Sequence, residues 1–576
     1  MNDEAGVPVG RTKEVPAGKP GAPGPQETGA AALGFRRLAA DAIDDILRHS
    51  PEWATSLGDH RFDDQLDDLS EEGRAQMATR LRAHRQKVAA LPSDELGPED
   101  QVDRAVLLGE LERREWLAGE LARQRWDPLY YNPGEAIYPL LSRDVLPLPE
   151  RLRAIASRLE GFPARLEVAR RQLEAPPLLH VETALDRNRG TVALVEQVGH
   201  LLEAEPSMAL LVEPAQRRAL EALDKFGAYL EHLREGPHRS PRLGPERFAR
   251  KLALELSSPL APEDVLAQAR DWMDEVQSDL EKAAARYLAD PGDSRPGRGR
   301  APVSTQAGVG AVRTALEAVA SDRPDAASFL PSIEAALLRC RETVASLGVV
   351  TLPDDPLRVE LMPAFRRGVG GAYCDPAGPL EEGGETSFAV EPTPESWSEE
   401  QKASFYREYN LAMVTNLTVH EAMPGHMVQL ARARRFSGPT LARKIFESGT
   451  FVEGWAVHAE RIMAEAGHGG LPVRLQQLKM QLRVAANAII DVSVHAGDMG
   501  EGEALALMTG RCYQEESEAR KKWRRACLTS AQLSTYFVGY KQLSDLFARL
   551  GKRSNYDEVL AHGSPPPALL AKLLLP

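Results

Sequence analysis

The chain has little cysteine, no long apolar run and no excess of positive charge. Four cysteines, Cys340, Cys374, Cys512 and Cys527, stand in 576 residues, and none has the C-x-x-C spacing. That argues against a disulfide framework and leaves free thiols of a reducing compartment. No stretch approaches the ~18 consecutive apolar residues of a spanning helix, and the N-terminus lacks the apolar core of a secretory signal. The expected location is therefore cytoplasmic, with no membrane partner. Lys and Arg number 70 against 84 Asp and Glu, a net charge of −14. This balance argues against nucleic acid or an anionic membrane surface as the default partner. No internal repeat is visible, and nothing bears on oligomeric state.

What is present is mostly helical periodicity. Residues 1–30 are rich in Pro, Gly, Ala and charge and are expected to be a disordered tail. From Ala31 onward, apolar residues recur every three or four positions, as at Phe35, Leu38, Ile43 and Ile46. The same pattern predicts helices across 70–123, 148–235, 243–288, 307–347, 398–435, 442–466, 471–496 and 500–549. Asp290 to Val303 reads as a loop. The expected organisation is a helical N-terminal part over 31–290, a linker over 291–305 and a catalytic part over 306–576. A chain this long exceeds one simple core, so two lobes around a cleft are expected. Between 350 and 395 the texture changes. Leu357–Met362 and Thr386–Val390 read as strands of a small sheet. The glycine-rich loop Arg366–Tyr373 reads as a hairpin turn that could reach a cleft.

The chemistry centres on His420-Glu421-Ala422-Met423-Pro424-Gly425-His426. Zinc hydrolases need neutral imidazoles and a carboxylate as ligands, one open position, and a base for the attacking water. The usual H-E-x-x-H places two histidines on one helix face. Here the histidines are six apart, which on a regular helix is a turn of roughly 240°. Pro424 and Gly425 lie between them. Proline cannot donate the helical hydrogen bond and glycine tolerates unusual dihedrals. A two-residue bulge or local unwinding that re-aims His426 is therefore expected. Glu453 follows 27 residues after His426, enough chain for an antiparallel helix to bring its first turn back. His420, His426 and Glu453 are the expected metal ligands, with Glu421 as the base. Glu460, seven residues beyond Glu453, shares its face and is expected to orient a ligand histidine; its plainer reading is a solvated charge.

The H-E-A-x-P-G-H stretch, the following Glu453-Gly454-Trp455-Ala456 and the tail Ser534-Thr535-Tyr536-Phe537-Val538-Gly539 resemble a bacterial family, domain-of-unknown-function family 885. Pro51 to Asp64 is similar to its N-terminal signature, so the resemblance runs from near Phe35 to the end. The family is regarded as candidate zinc metallopeptidases, distantly similar to helical gluzincin carboxypeptidases and oligopeptidases. The resemblance implies a mainly α, gluzincin-like body and an oxyanion donor at Tyr536, where Thr535 replaces the usual serine. It also singles out Asp491 and His495, which stand where the family has Val-Asp-x-Gly-Leu-His. His495 is then a candidate contact to substrate or oxyanion, held by Asp491. The plainer reading of that pair is a buried structural one. Arg483 is a candidate for binding a substrate carboxylate, and Tyr373 for lining the cleft.

The function expected is a zinc-dependent hydrolase cleaving short peptides. Two alternatives stay open. One is a zinc enzyme acting on a non-peptide amide or C–N bond, as hydrolase or lyase in a biosynthetic pathway. The other is a helical binding protein with a vestigial metal site, which closure of the ligand sphere by His458 or Glu460 would favour.

Overall fold

The structure, a computed structural model, describes residues 29–289, 308–367, 371–381, 383–551 and 556–576. The expected disordered tail, apart from its last two residues, and the expected linker 291–305 lie outside the described residues.

Helices dominate, and local chemistry marks their ends. Proline opens Pro51–Leu57, Pro98–Trp116 and Pro245–Leu256, where its missing N–H costs nothing. Ser398 and Gln401 form a capping box before Glu399–Glu408. The Asn410 side chain accepts from Met413 N at 3.1 Å and starts Leu411–Glu421. The fold class is mainly α with a small sheet, as the periodicity predicts.

Side chains pack in several apolar clusters. Leu148–Gln172, Leu178–Ala204 and Ala209–Arg234 share one through Leu159, Phe162, Val195 and Phe226. Pro262–Ala289 packs along Gly470–His495, joining Met273 and Leu280 to Leu478 and Leu482. That core therefore spans the expected boundary at 291–305 instead of dividing there. Apolar spacing shows which face of a helix is buried and not which helix covers it.

The sheet has three strands, β1 (Leu357–Leu361), β2 (Ala372–Asp375) and β3 (Thr386–Val390), in the order β1-β3-β2. β1 runs parallel to β3, and β2 antiparallel, with Cys374 opposite Phe388. β1 and β3 are the two runs the sequence suggests. β2 falls at the end of the stretch expected to be a hairpin turn, of which 368–370 lie outside the described residues. Four residues behind a glycine run are too few for alternation to register. All five residues of β3 are buried, and the strand order leaves β2 an edge strand of the sheet.

Two of those helices, Gly449–Glu465 and Ser534–Leu550, cross at glycines. A Cβ on Gly539 would stand 2.0 Å from the Thr450 carbonyl oxygen, and one on Gly454 2.4 Å from the Gly539 carbonyl carbon. Only hydrogen fits at this crossing, and the crossing sets Glu453 beside the helix of Tyr536. Gly539→Ala is expected to lower unfolding free energy by about 2–3 kcal/mol, read as an earlier midpoint in urea, because packed backbones cannot yield without moving both helices.

Candidate metal centre

Leu411–Glu421 carries His420 and Glu421 in its last turn, and His426 opens the next helix, His426–Arg434. Of the expected bulge or local unwinding, the structure has the latter, a full break of the helix over residues 422–425. Local and tertiary bonds hold it. Met423 N and Gly425 N donate back to Thr418 O and Val419 O at 3.3 and 3.0 Å. Pro424 O accepts from Trp455 Nε1 at 2.9 Å, and Trp455 is fully buried behind the break. Gly425 has no room for a side chain: a Cβ would lie 1.9 Å from His420 O and 2.3 Å from Val419 O. The break turns the His426 ring to 4.8 Å from that of His420, nearly perpendicular at 87°.

Glu453, in the first turns of Gly449–Glu465, completes a cluster. Its Oε2 lies 3.7 Å from His420 Nε2 and 3.5 Å from His426 Nε2. Oε2 is buried and accepts no hydrogen bond among the described residues. One ligand atom from each residue lies within 4.8 Å of the others, the arrangement of groups that could hold a metal ion. Four-coordinate zinc with ~2.0–2.1 Å bonds separates its ligand atoms by about 3.3–3.4 Å, so the three converge slightly wider than zinc would draw them. The donor set of two imidazoles and a carboxylate also suits that ion.

Around the cluster the partners are specific. Glu460 Oε1 lies 2.7 Å from His420 Nδ1, and its Oε2 accepts from Asn416 Nδ2 at 2.7 Å. An N–H given to this carboxylate leaves the Nε2 lone pair facing Glu453. Burial works to lower the pKa of His420, but Glu453 and Glu460 outweigh it and hold it well above the ordinary value. Burial likewise opposes charge on Glu453, and the two imidazoles hold its carboxyl far below the usual range. A buried carboxylate of this kind demands positive charge beside it. His458 Nε2 instead faces Tyr556 OH at 3.3 Å. Neither His458 nor Glu460 belongs to the three-residue cluster.

A chamber of about 90 Å³ opens beside His420 and Glu421, with Ala372 at the β2 edge, Arg483 and Tyr536 also on its walls. Glu421 makes no hydrogen bond or ion pair among the described residues. The Tyr536 ring stacks on His420 at 6.5 Å and 17°, and its hydroxyl accepts from Arg525 Nη2 at 3.1 Å. Burial pushes that hydroxyl up to about 12 despite the nearby Arg525 guanidinium, so it stays a proton donor.

His495 is not brought to this chamber. Its Nε2 lies 2.8 and 2.7 Å from the carbonyl oxygens of Ala526 and Thr529, and its ring stacks on Phe248. This corrects the expectation of a substrate contact. Asp491 is also elsewhere: it accepts from Ala531 N, Ser534 N and Ser534 Oγ at 2.8–2.9 Å, tying down the start of the Tyr536 helix. Tyr373 faces the other side of β2, beneath the Arg366 guanidinium at 5.1 Å, while its neighbour Ala372 faces the chamber. The period of two explains that correction. Arg525, Lys522, Asn416 and Asn487 also line the chamber, though no sequence motif marks them. The two cations sit in the run Arg520–Arg525, which reads as an ordinary charged helix face. Asn416, one turn before His420, is the nearest to a legible signal.

Fold and cluster define a helical protein with two buried histidines and a half-buried glutamate gathered under a small sheet. The chain belongs to the bacterial proteins of unknown function DUF885, whose family profile matches residues 51–574. A solved structure of a candidate lipoprotein of unknown function from Shewanella oneidensis is similar, with 26% identity and a TM-score of 0.73. It covers 94% of this chain and 100% of its own. A second candidate lipoprotein, from Colwellia psychrerythraea, shares the fold at 16% identity and a TM-score of 0.76, covering 94% and 98%. No functionally curated protein matches the chain significantly. No helix among the described residues is long and apolar enough to cross a membrane.

Proposed function

We propose that the protein is a zinc-dependent hydrolase acting on the amide bonds of short peptides. The observation that carries this is the carboxylate of Glu421, unbonded among the described residues, beside a three-residue cluster that no fourth described side chain closes. A structural site has no use for a base and is normally closed by four protein ligands.

His420, His426 and Glu453 would hold the ion, which when bound supplies Lewis acidity to a carbonyl and lowers the pKa of water. Glu421 takes the proton of the attacking water and passes it to the leaving nitrogen as the C–N bond breaks. The Tyr536 hydroxyl, positioned by Arg525, donates to the oxygen that gains charge at the carbonyl carbon. Glu460 fixes the tautomer and aim of His420. The free edge of β2 offers backbone groups to an extended substrate. The small chamber favours short chains over folded proteins.

Tyr536→Phe is expected to reduce kcat about 10²-fold with little change in KM, read in steady-state peptide hydrolysis, because the lost donor serves the transition state. Glu460→Gln is expected to weaken zinc binding about 10–100-fold in a chelator competition. The functional reading itself is tested by incubating zinc-supplied protein with a mixture of short peptides and mapping new termini by mass spectrometry. Cleavage that a chelator stops and zinc restores is expected. Intact peptides after prolonged incubation with zinc-loaded protein would overturn the peptidase reading and favour the non-peptide amide alternative.

A further inference from the structure

One wall of the chamber gathers three cations, of which one has no close partner among the described residues. Arg483, Lys522 and Arg525 all line it. Arg525 is committed to Gln532 and to the Tyr536 hydroxyl. Arg483 has a loose ion pair, 3.6 Å to Glu518. Lys522 is only 5% exposed and makes no hydrogen bond or close ion pair among the described residues. Of the other acids on the chamber walls, Glu408 is taken by Lys479 at 2.9 Å and by Glu515 N at 2.9 Å, Glu460 is taken by His420 and Asn416, and Glu421 makes no ion pair with the three cations. Asn487, which also lines the chamber and is 3% exposed, has an Oδ1 without a hydrogen-bond partner among the described residues.

A buried ammonium without a partner is costly, and proteins rarely keep one for stability. Burial, helped by Arg483 and Arg525, pushes Lys522 well below the ordinary lysine range. An anion entering the chamber would reverse that and gain two guanidinium partners as well. The space is that of a small group, and it adjoins Tyr536 and the base Glu421.

We propose that Arg483, Lys522 and Arg525 form a recess for a substrate carboxylate, which makes the free C-terminus of a short peptide the site of attack. The consequence for cleavage rests on the hydrolase reading above; the recess does not. With the terminal carboxylate held there, the bond presented to Glu421 is one close to the end of the chain. The expected products are a shortened peptide and a C-terminal fragment of one or two residues.

The test is calorimetric titration of full-length, zinc-supplied Glu421→Gln protein with three probes. They are N-acetyl-trialanine, its C-terminal amide, and the amide carrying an internal glutamate. The free acid is expected to bind at least about tenfold tighter than the plain amide, and Lys522→Met or Arg483→Met to remove that difference. Lys522→Met is also expected to unfold at the same or a higher urea concentration, since Glu518 keeps Arg483 and Lys521. A structural lysine would give the opposite shift. Equal binding of all three probes would overturn the recess. Tighter binding of the internal glutamate alone would overturn attack at the C-terminus and assign the recess to an acidic side chain. A preference for the free acid without cleavage by wild type would count against the hydrolase only. Internal cleavage without any preference would count against the recess only.

Discussion

Glu421→Gln is expected to keep its zinc and lose its turnover. The carboxylate makes no hydrogen bond or ion pair among the described residues, so the isosteric amide leaves the fold intact. It stands at the end of the helix that carries His420, beside the cluster and outside it. An amide cannot take a proton from water. General-base removal costs 10²–10⁴-fold in comparable sites, and the expected loss here is about 10³-fold in kcat, or ~4 kcal/mol of barrier. KM is expected to change little, because the base acts only as bonds are made and broken. Steady-state kinetics beside zinc content checks both halves. A variant retaining full turnover would remove Glu421 from the mechanism.

The second large effect lies in the backbone. Gly425→Ala would force a methyl group against the His420 and Val419 carbonyl oxygens at 1.9 and 2.3 Å. Neither oxygen can retreat without unwinding the helix that holds the first ligand. The expected cost is about 3 kcal/mol or more in urea unfolding, together with loss of zinc as His426 is displaced. Gly109→Ala is the matching control. It lies within Pro98–Trp116, where an added Cβ meets nothing, and is expected to stabilise by ~0.5–1 kcal/mol. A Gly425→Ala protein as stable as the Gly109→Ala control would mean that the break between the histidines is soft.

How much of this is legible in the sequence depends on what each residue answers to. His420, His426 and the Pro424-Gly425 pair between them announce a re-aimed helix, because a spacing of six is wrong for one face. The size of the break is not legible, since it is held by Trp455 from another helix. Glu453 and Glu460 follow from helical spacing once a second helix is granted. Asp491 and His495 show the limit of that reasoning. Spacing puts them on one face, but whether that face meets the chamber or helices Glu516–Leu528 and Ser534–Leu550 is a tertiary matter. Lys522 and Arg525 were hidden for the same reason, in a segment whose charge resembles a solvated surface. β1 is legible from the apolar–charged alternation of Leu357 to Leu361 and β3 from Thr386, Phe388 and Val390, while β2 is too short to show a period.

Zinc content with and without Glu453 tests the central claim most directly. Wild-type protein purified without added metal, then supplied with zinc and freed of excess, is expected to hold about one zinc per chain by elemental analysis. Glu453→Ala is expected to hold almost none, since a ligand atom would be missing from the three-residue set. Absence of zinc from the supplied wild-type protein, or equal zinc in the variant, would contradict the account.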